Sequence, residues 1–174
     1  MDFEITARKA GRKVRKFFAS GEESDDMDIL DKLRQEHDEV EELLGKLVDS
    51  QNGAERKSLL KKIKSALVPH VRAEEKIVYN AVIGLKGKQR VQDGEEGYLE
   101  HGLADRMLAT LGKIASPTSP EFGAAAKVLK ELVQHHVEEE ERNIWRDVRD
   151  NFSDEERAAM CRRFEEAKKK VRVP

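Results

Sequence analysis

The sequence predicts an all-α protein, an up-down-up-down four-helix bundle with a short C-terminal fifth helix and a basic N-terminal leader. Charged residues make up 39% of the 174 residues and aromatic residues only 5%, a composition typical of long helices with solvent-facing sides. Apolar residues recur at steps of three and four along four long segments, which is the helical period. Short loops join the segments, so neighbouring helices should be antiparallel.

The four long helices are expected at residues 28–49, 54–83, 95–115 and 120–151. Pro69 lies inside the second helix and should kink it just before His70, because proline has no backbone N–H to donate. Three glycines are interpreted as marking the loop after this helix: Gly84, Gly87 and Gly94.

Two helix starts are also predicted from local sequence. Ser119 followed by Pro120 predicts an N-cap and a proline at the first helical position. Ser153 and Glu156 form a capping-box pattern, which opens the short fifth helix.

Three regions are expected: a leader at 1–26, the bundle at 27–165 and a tail at 166–174. The leader contains a basic cluster, made up of Arg8, Lys9, Arg12, Lys13, Arg15 and Lys16. One interpretation is an arm that binds an anionic surface or a nucleic acid. The other is a solvated leader, mobile or partly helical, which the short apolar face favours.

Charge, cysteine content and hydropathy bear on the partners and the cellular location to expect. The formal net charge is −2, so total charge gives no reason to expect a specific nucleic-acid partner. The single cysteine, Cys161, cannot form an internal disulfide, which fits a reducing cytoplasmic location. No apolar run reaches the length of a membrane span, and no signal peptide follows the start.

Polar residues interrupt the apolar face of every long helix. Each of the four faces has one histidine near mid-helix with a carboxylate four residues later: His37 with Glu41, His70 with Glu74, His101 with Asp105, and His136 with Glu140. A single histidine on such a face is more often a core residue than a ligand. Carboxylates facing a core are costly unless they neutralise, pair or bind a metal. Together the four pairs therefore predict a metal site.

The fourth helix has two adjacent histidines, and only one fits the pattern. His70 and His136 are each followed by an aromatic residue nine positions later, Tyr79 and Trp145 respectively. His135 does not match this spacing and should lie on the helix flank. Glu41 lies at the edge of its apolar face and should be solvated.

These motifs resemble the hemerythrin-type, or HHE cation-binding, proteins. The resemblance rests on four stretches: Gln35-Glu36-His37, His70 to Tyr79, Glu100-His101 to Asp105, and His136 to Trp145. It implies two iron ions in the bundle, bridged by carboxylates and by an oxo or hydroxo group. His37 and His70 would ligate one iron and His101 and His136 the other, with Glu74 and Glu140 as bridges and Asp105 as a further candidate ligand.

The chain differs in two places from the oxygen-carrying members that it resembles. Those members have a histidine where Asp105 stands. Their last carboxylate follows its histidine by five residues, whereas here Glu140 follows His136 by four residues and Glu141 follows it by five. More carboxylates make the centre more anionic and favour ferric iron. The difference argues against reversible oxygen carriage and favours sensing, iron handling or a reaction with a small molecule.

The resemblance implies a protein that binds or senses oxygen, nitric oxide or iron itself. An alternative is an enzyme: a di-iron oxidase or peroxidase, or a nitric-oxide-responsive protein that repairs iron centres. Another is a metal-free or zinc-bound structural bundle. The expected partner is a small diatomic molecule or peroxide. The sequence does not decide between these functions, between iron, manganese or a mixed pair, or between monomer and dimer.

Overall fold

The computed structural model describes residues 27–173, so the predicted leader at 1–26 lies outside the described residues. Within that range all regular structure is helical, which confirms the predicted all-α bundle. The elements are α1 (Ile29–Asp49), α2 (Gly53–Glu74), a π-helical turn (Glu75–Tyr79), α3 (Asn80–Gly84), α4 (Lys88–Lys113), α5 (Pro120–Arg142), α6 (Ile144–Asn151) and α7 (Asp154–Lys168).

The long helices form a closed ring. Helix α1 packs on α2 and α5, and α4 packs on α2 and α5. Short connections make successive helices antiparallel, as expected for this topology. Helix α7 lies outside the ring, against α1 and α2, so one side of the bundle has an extra layer. None of the described helices combines the length and apolar character that crossing a bilayer requires.

Both predicted helix starts are confirmed. The Ser119 side chain accepts a hydrogen bond from the backbone of Phe122, and Pro120 occupies the first turn of α5. Ser153 and Glu156 form the full capping box at the start of α7. These side chains satisfy backbone N–H groups that the first turn of a helix leaves unpaired.

The second helix departs from the α-helical pattern after Pro69, and the kink expected just before His70 stays a prediction. Helix α2 continues through Pro69 to Glu74, and the irregular stretch is the π-helical turn of Glu75–Tyr79. A π turn holds one more residue than an α turn and is frequent at functional sites. Here it follows directly on Glu74, one of the predicted ligands.

The predicted boundaries of the third and fourth helices were wrong. Helix α4 begins at Lys88 rather than near residue 95, because Gly94 lies inside the helix and not in a loop. A Cβ atom on Gly94 would lie 2.7 Å from the Ile83 side chain, so this glycine allows close helix packing. The fourth helix is divided at Asn143 into α5 and α6. Helix α7 continues to Lys168.

Two apolar clusters fill the bundle. One contains Leu44, Ile63 and Leu129, and the other contains Leu33, Trp145 and Phe164. On α1 the predicted site residue His37 falls between Leu33 of one cluster and Val40 of the other. The buried histidines and glutamates therefore form a layer between two apolar regions, which limits their contact with water.

Gly97 provides a test of this packing. A Cβ atom there would lie 2.5 Å from the Tyr79 ring, whereas a Cβ on Gly102 of the same helix meets nothing within 4 Å. We expect Gly97→Ala to destabilise the protein by about 1–3 kcal/mol, because Tyr79 is buried and must move. Gly102→Ala, the matched control, should stabilise it by about 0.4–1 kcal/mol. Urea denaturation measures both, and equal effects would contradict the close packing.

Candidate metal centre

Four buried histidines meet in the polar layer, one from each long helix. His37, His70, His101 and His136 are between 2% and 8% exposed. They form two pairs. The Nε2 atoms of His101 and His136 are 3.1 Å apart, and the ring centroids of His37 and His70 are 5.1 Å apart. The four mid-helix histidines thus lie together inside the bundle.

Two buried carboxylates lie between the histidine pairs. Glu74 Oε2 is 3.6 Å from His70 Nε2 and 3.4 Å from His101 Nε2. Glu140 Oε2 is 3.5 Å from His37 Nε2 and 3.9 Å from His136 Nε2. Each carboxylate therefore faces one histidine of each pair. Neither has a hydrogen-bond partner, although both side chains are almost fully buried.

An outer ring of glutamates holds the histidines. Each Nδ1 atom lies near a carboxylate oxygen of a different helix or turn: His37 near Glu141 at 3.4 Å, His70 near Glu36 at 3.0 Å, His101 near Glu75 at 3.1 Å, and His136 near Glu100 at 2.7 Å. With the proton on Nδ1, the histidine donates to the carboxylate and its Nε2 lone pair points inward. This is the arrangement that orients metal-binding histidines in proteins.

Sequence reasoning did not assign a role to this outer ring. Its signal is the neighbouring position in the chain: Glu36 precedes His37, Glu100 precedes His101, and Glu75 and Glu141 each follow an inward carboxylate. In a sequence rich in glutamate, adjacent acids do not stand out. Only the packing of the helices shows that each of them reaches the histidine of a neighbouring helix.

The repeated aromatic residues cover the two histidine pairs. The Tyr79 ring stacks on His101 at 5.3 Å, and Trp145 stacks on His37 at 5.6 Å. The Tyr79 hydroxyl is also 3.4 Å from the Nε2 atoms of both His101 and His136. The predicted His70–Tyr79 and His136–Trp145 repeat thus places one aromatic residue over each half of the site.

Protons are unequally distributed over the His101–His136 pair. Burial alone would lower the pKa of His101, but its contacts with the Glu74 and Glu75 carboxylates raise it to about 9. Burial lowers the pKa of His136 despite its hydrogen bond to Glu100, and the nearby His101 lowers it further. Without a metal, His101 is therefore positively charged at neutral pH. Its second proton is on Nε2, the atom that faces His136.

The inward carboxylates also differ in their protonation. Burial would raise the pKa of Glu74, but the nearby His70 and His101 hold it below its usual value. Burial raises the pKa of Glu140 well above its usual value, and the adjacent charge of Glu74 raises it further. A proton thus reduces the negative charge that the fold places between the histidines.

The structure does not bring every predicted residue to this cluster. Asp105 is ion-paired with Arg72 on α2, and its side chain is 34% exposed. His135 is exposed on the flank of α5, as predicted, whereas His136 points inward. Glu41 is partly exposed on α1 and lies outside the buried cluster.

Two overlapping groups of side chains could each hold a metal ion. One consists of His37, His70 and Glu74, and the other of Glu74, His101 and His136, with the ligand atoms of each group within 4.8 Å of one another. Glu74 belongs to both groups. Buried carboxylates without hydrogen bonds, inward-facing imidazoles and a shared acid fit a pair of cations.

Comparisons with known proteins agree with this geometry. The family model described as hemerythrin HHE cation binding domain matches residues 28–148. A DNA nickase from Nostoc sp. (strain PCC 7120 / SAG 25.82 / UTEX 2576) is 30% identical over 151 residues, 87% of this chain and 42% of the relative. The chain thus spans less than half of that relative's length. No solved structure matches this chain. The family match covers α1 to α5 and most of α6, and the chain belongs to the hemerythrin HHE cation-binding domain family.

Proposed function

We propose that this protein holds two iron ions in a non-haem centre and uses them to bind or sense a small molecule such as oxygen or nitric oxide. The observation that carries the proposal is the position of Glu74 and Glu140. Each is buried without a hydrogen bond, and each lies between histidines of both pairs. The proposed ligands are His37, His70, Glu74, His101, His136 and Glu140.

The charge of the cluster supports cations of this kind. An ionised carboxylate buried away from water is costly unless a counter-charge is close. Bound iron would supply that charge, together with the capacity to coordinate a small molecule and to change oxidation state. Imidazole and carboxylate donors suit iron or manganese. Asp105 is left out of the proposed set because its carboxylate is paired with Arg72.

The shape of the site favours a very small ligand. A cavity beside the four histidines is lined mainly by aliphatic side chains, among them Val40, Leu67 and Val133. It leaves room for a molecule of about the size of one water. An apolar space of this size suits a diatomic molecule and excludes an organic substrate.

Metal analysis tests the proposed ligands. We expect about two irons per chain after reconstitution with ferrous iron. His136→Ala should lose one or both, because it removes an inward imidazole. Two matched controls, His135→Ala and Asp105→Ala, should keep wild-type iron content, because neither side chain reaches the cluster. One zinc per chain, or loss of iron in His135→Ala but not in His136→Ala, would contradict the assignment.

The same preparations test the function. Optical spectra of the reduced, iron-loaded protein, recorded before and after adding oxygen or nitric oxide, should change in the wild type and in His135→Ala. They should not change in a variant that retains no iron. Turnover of an added reductant would identify an enzyme rather than a sensor. Unchanged spectra in fully loaded protein would exclude both ligands.

Metal binding should also depend on pH, because a cation must displace the proton on His101. That proton stabilises the metal-free fold fully below the unfolded pKa of 6.5, and this contribution is lost as pH rises through about 9. The metal-loaded protein gains no such stability from protonation. The rise in Tm produced by manganese(II) should therefore increase from pH 6.5 to 9. A constant difference in Tm over this range would show that His101 is not displaced.

A second candidate function is metal-dependent nicking of DNA. The observation favouring it is the likeness to the DNA nickase, and the basic cluster at residues 8–16 offers positive charge for phosphate contacts. Against direct attack on a phosphodiester stands the burial of all six proposed ligands. If this function holds, iron-loaded protein converts supercoiled plasmid to the open circle and His136→Ala does not. An intact plasmid in the presence of fully loaded wild type would exclude it.

A further inference from the structure

A second group of possible ligands lies outside the buried cluster. His135 Nε2 is 3.9 Å from Glu100 Oε1 and 3.8 Å from Glu139 Oε2. The ligand atoms of all three side chains lie within 4.8 Å of one another. His135 is 60% exposed, whereas the Glu139 and Glu100 side chains are 30% and 13% exposed. The group therefore extends from the surface of α5 towards the interior.

This outer group opens onto the buried cluster. Glu100 and Glu139 line an opening that Glu140 and His136 also line, with room for about one water molecule. Among the described residues that line it, five are acids and none is lysine or arginine. At its inner end lies Glu140, buried and without a hydrogen bond. This carboxylate is an unsatisfied group for a cation to reach.

Glu100 connects the outer group to the inner one. Its Oε2 lies 2.7 Å from His136 Nδ1, while its Oε1 faces His135. In the described part of the chain, these two histidines are its only ionic partners within 4 Å. One carboxylate thus contacts both an exposed imidazole and a buried one.

The corresponding place in the other half of the bundle carries positive charge. There Glu36 holds His70 as Glu100 holds His136, but Glu36 is also ion-paired with Lys32 and with Lys168 of α7. Two cationic side chains at that position repel an approaching metal ion.

The ligands of the outer group are also missing from that half. Counting back 66 residues, the spacing that relates His136 to His70, places Pro69 where His135 stands and Ala73 where Glu139 stands. Neither side chain can bind a cation. In the part of the chain that the structure describes, the opening beside Glu100 is lined by acids without lysine or arginine, whereas lysines accompany the acids beside Glu36.

We propose that Glu100, His135 and Glu139 form an outer site for a divalent cation, such as ferrous iron or manganese(II), through which the ion reaches the buried centre. The transfer rests on the proposed metal centre, whereas the outer site does not. Imidazole and carboxylate ligands replace part of the ion's hydration shell at the surface. The ion then moves from Glu139 to Glu140, the next residue of α5. Glu100 lines the same opening and contacts both His135 and His136.

The rate of metal uptake tests the transfer. We expect Glu139→Gln and His135→Ala to slow manganese(II) uptake about tenfold, because the acidic opening concentrates cations, and to leave the final metal content unchanged. Glu138→Gln is the matched control: it removes the same charge from an exposed neighbour that lies outside the group. Its uptake should remain close to wild type. Equal uptake rates in Glu139→Gln and wild type, or equal slowing in Glu138→Gln, would overturn the transfer.

A direct measurement tests the outer site by itself. Titration with diamagnetic zinc(II) should shift the imidazole nitrogen signals of His135 saturably in NMR spectra of the wild type, and not in Glu139→Gln. This shift is expected whether or not the buried centre fills, so a failure of the buried centre is distinguishable from a failure of the outer site. A His135 signal that does not respond in the wild type would overturn the outer site.

Discussion

Two carboxylates without hydrogen bonds, Glu74 and Glu140, impose the constraint that the rest of the bundle meets. Both are buried between apolar clusters, where an uncompensated negative charge is costly. The four inward imidazoles surround them, and in the absence of a metal a proton on Glu140 and a protonated His101 reduce the charge. The same donors are those a pair of cations requires. The buried carboxylates that are costly without a counter-charge would therefore be stabilised by a pair of bound cations.

The outer glutamates link the buried site to the packing of the whole bundle, because each contacts a histidine of a neighbouring element. Glu36 of α1 holds His70 of α2, and Glu75 of the π turn holds His101 of α4. Glu100 of α4 holds His136 of α5. Glu141 of α5 holds His37 of α1, which closes the ring. Every contact joins two neighbouring elements of the ring. The orientation of the imidazoles therefore depends on correct assembly of all four helices, so we expect cation binding to be coupled to folding.

Much of this architecture was predictable from helical periodicity and capping patterns, which depend on local sequence. Periodicity also placed His136 inward and His135 on the flank, since adjacent residues are about 100° apart on a helix. Gly94 was misinterpreted because a glycine that allows two helices to pack closely has the same local signal as one in a loop. Asp105 fits the four-residue spacing, but its pairing with Arg72 depends on the neighbouring helix. The roles of Glu75 and Glu141 are likewise set by contacts between helices.

The two halves of the site have equivalent ligands but different surroundings. Tyr79 stacks on His101 and brings a hydroxyl to within 3.4 Å of His101 and His136, whereas the residue stacked on His37 is Trp145. A phenol can donate and accept a hydrogen bond, but an indole can only donate. Lys32 and Lys168 of α7 pair with Glu36, whereas acids line the opening beside Glu100. Two cations bound here would therefore be chemically inequivalent: one near His101 would lie beside a hydroxyl and an acidic opening, and one near His37 beside an indole and an added helical layer.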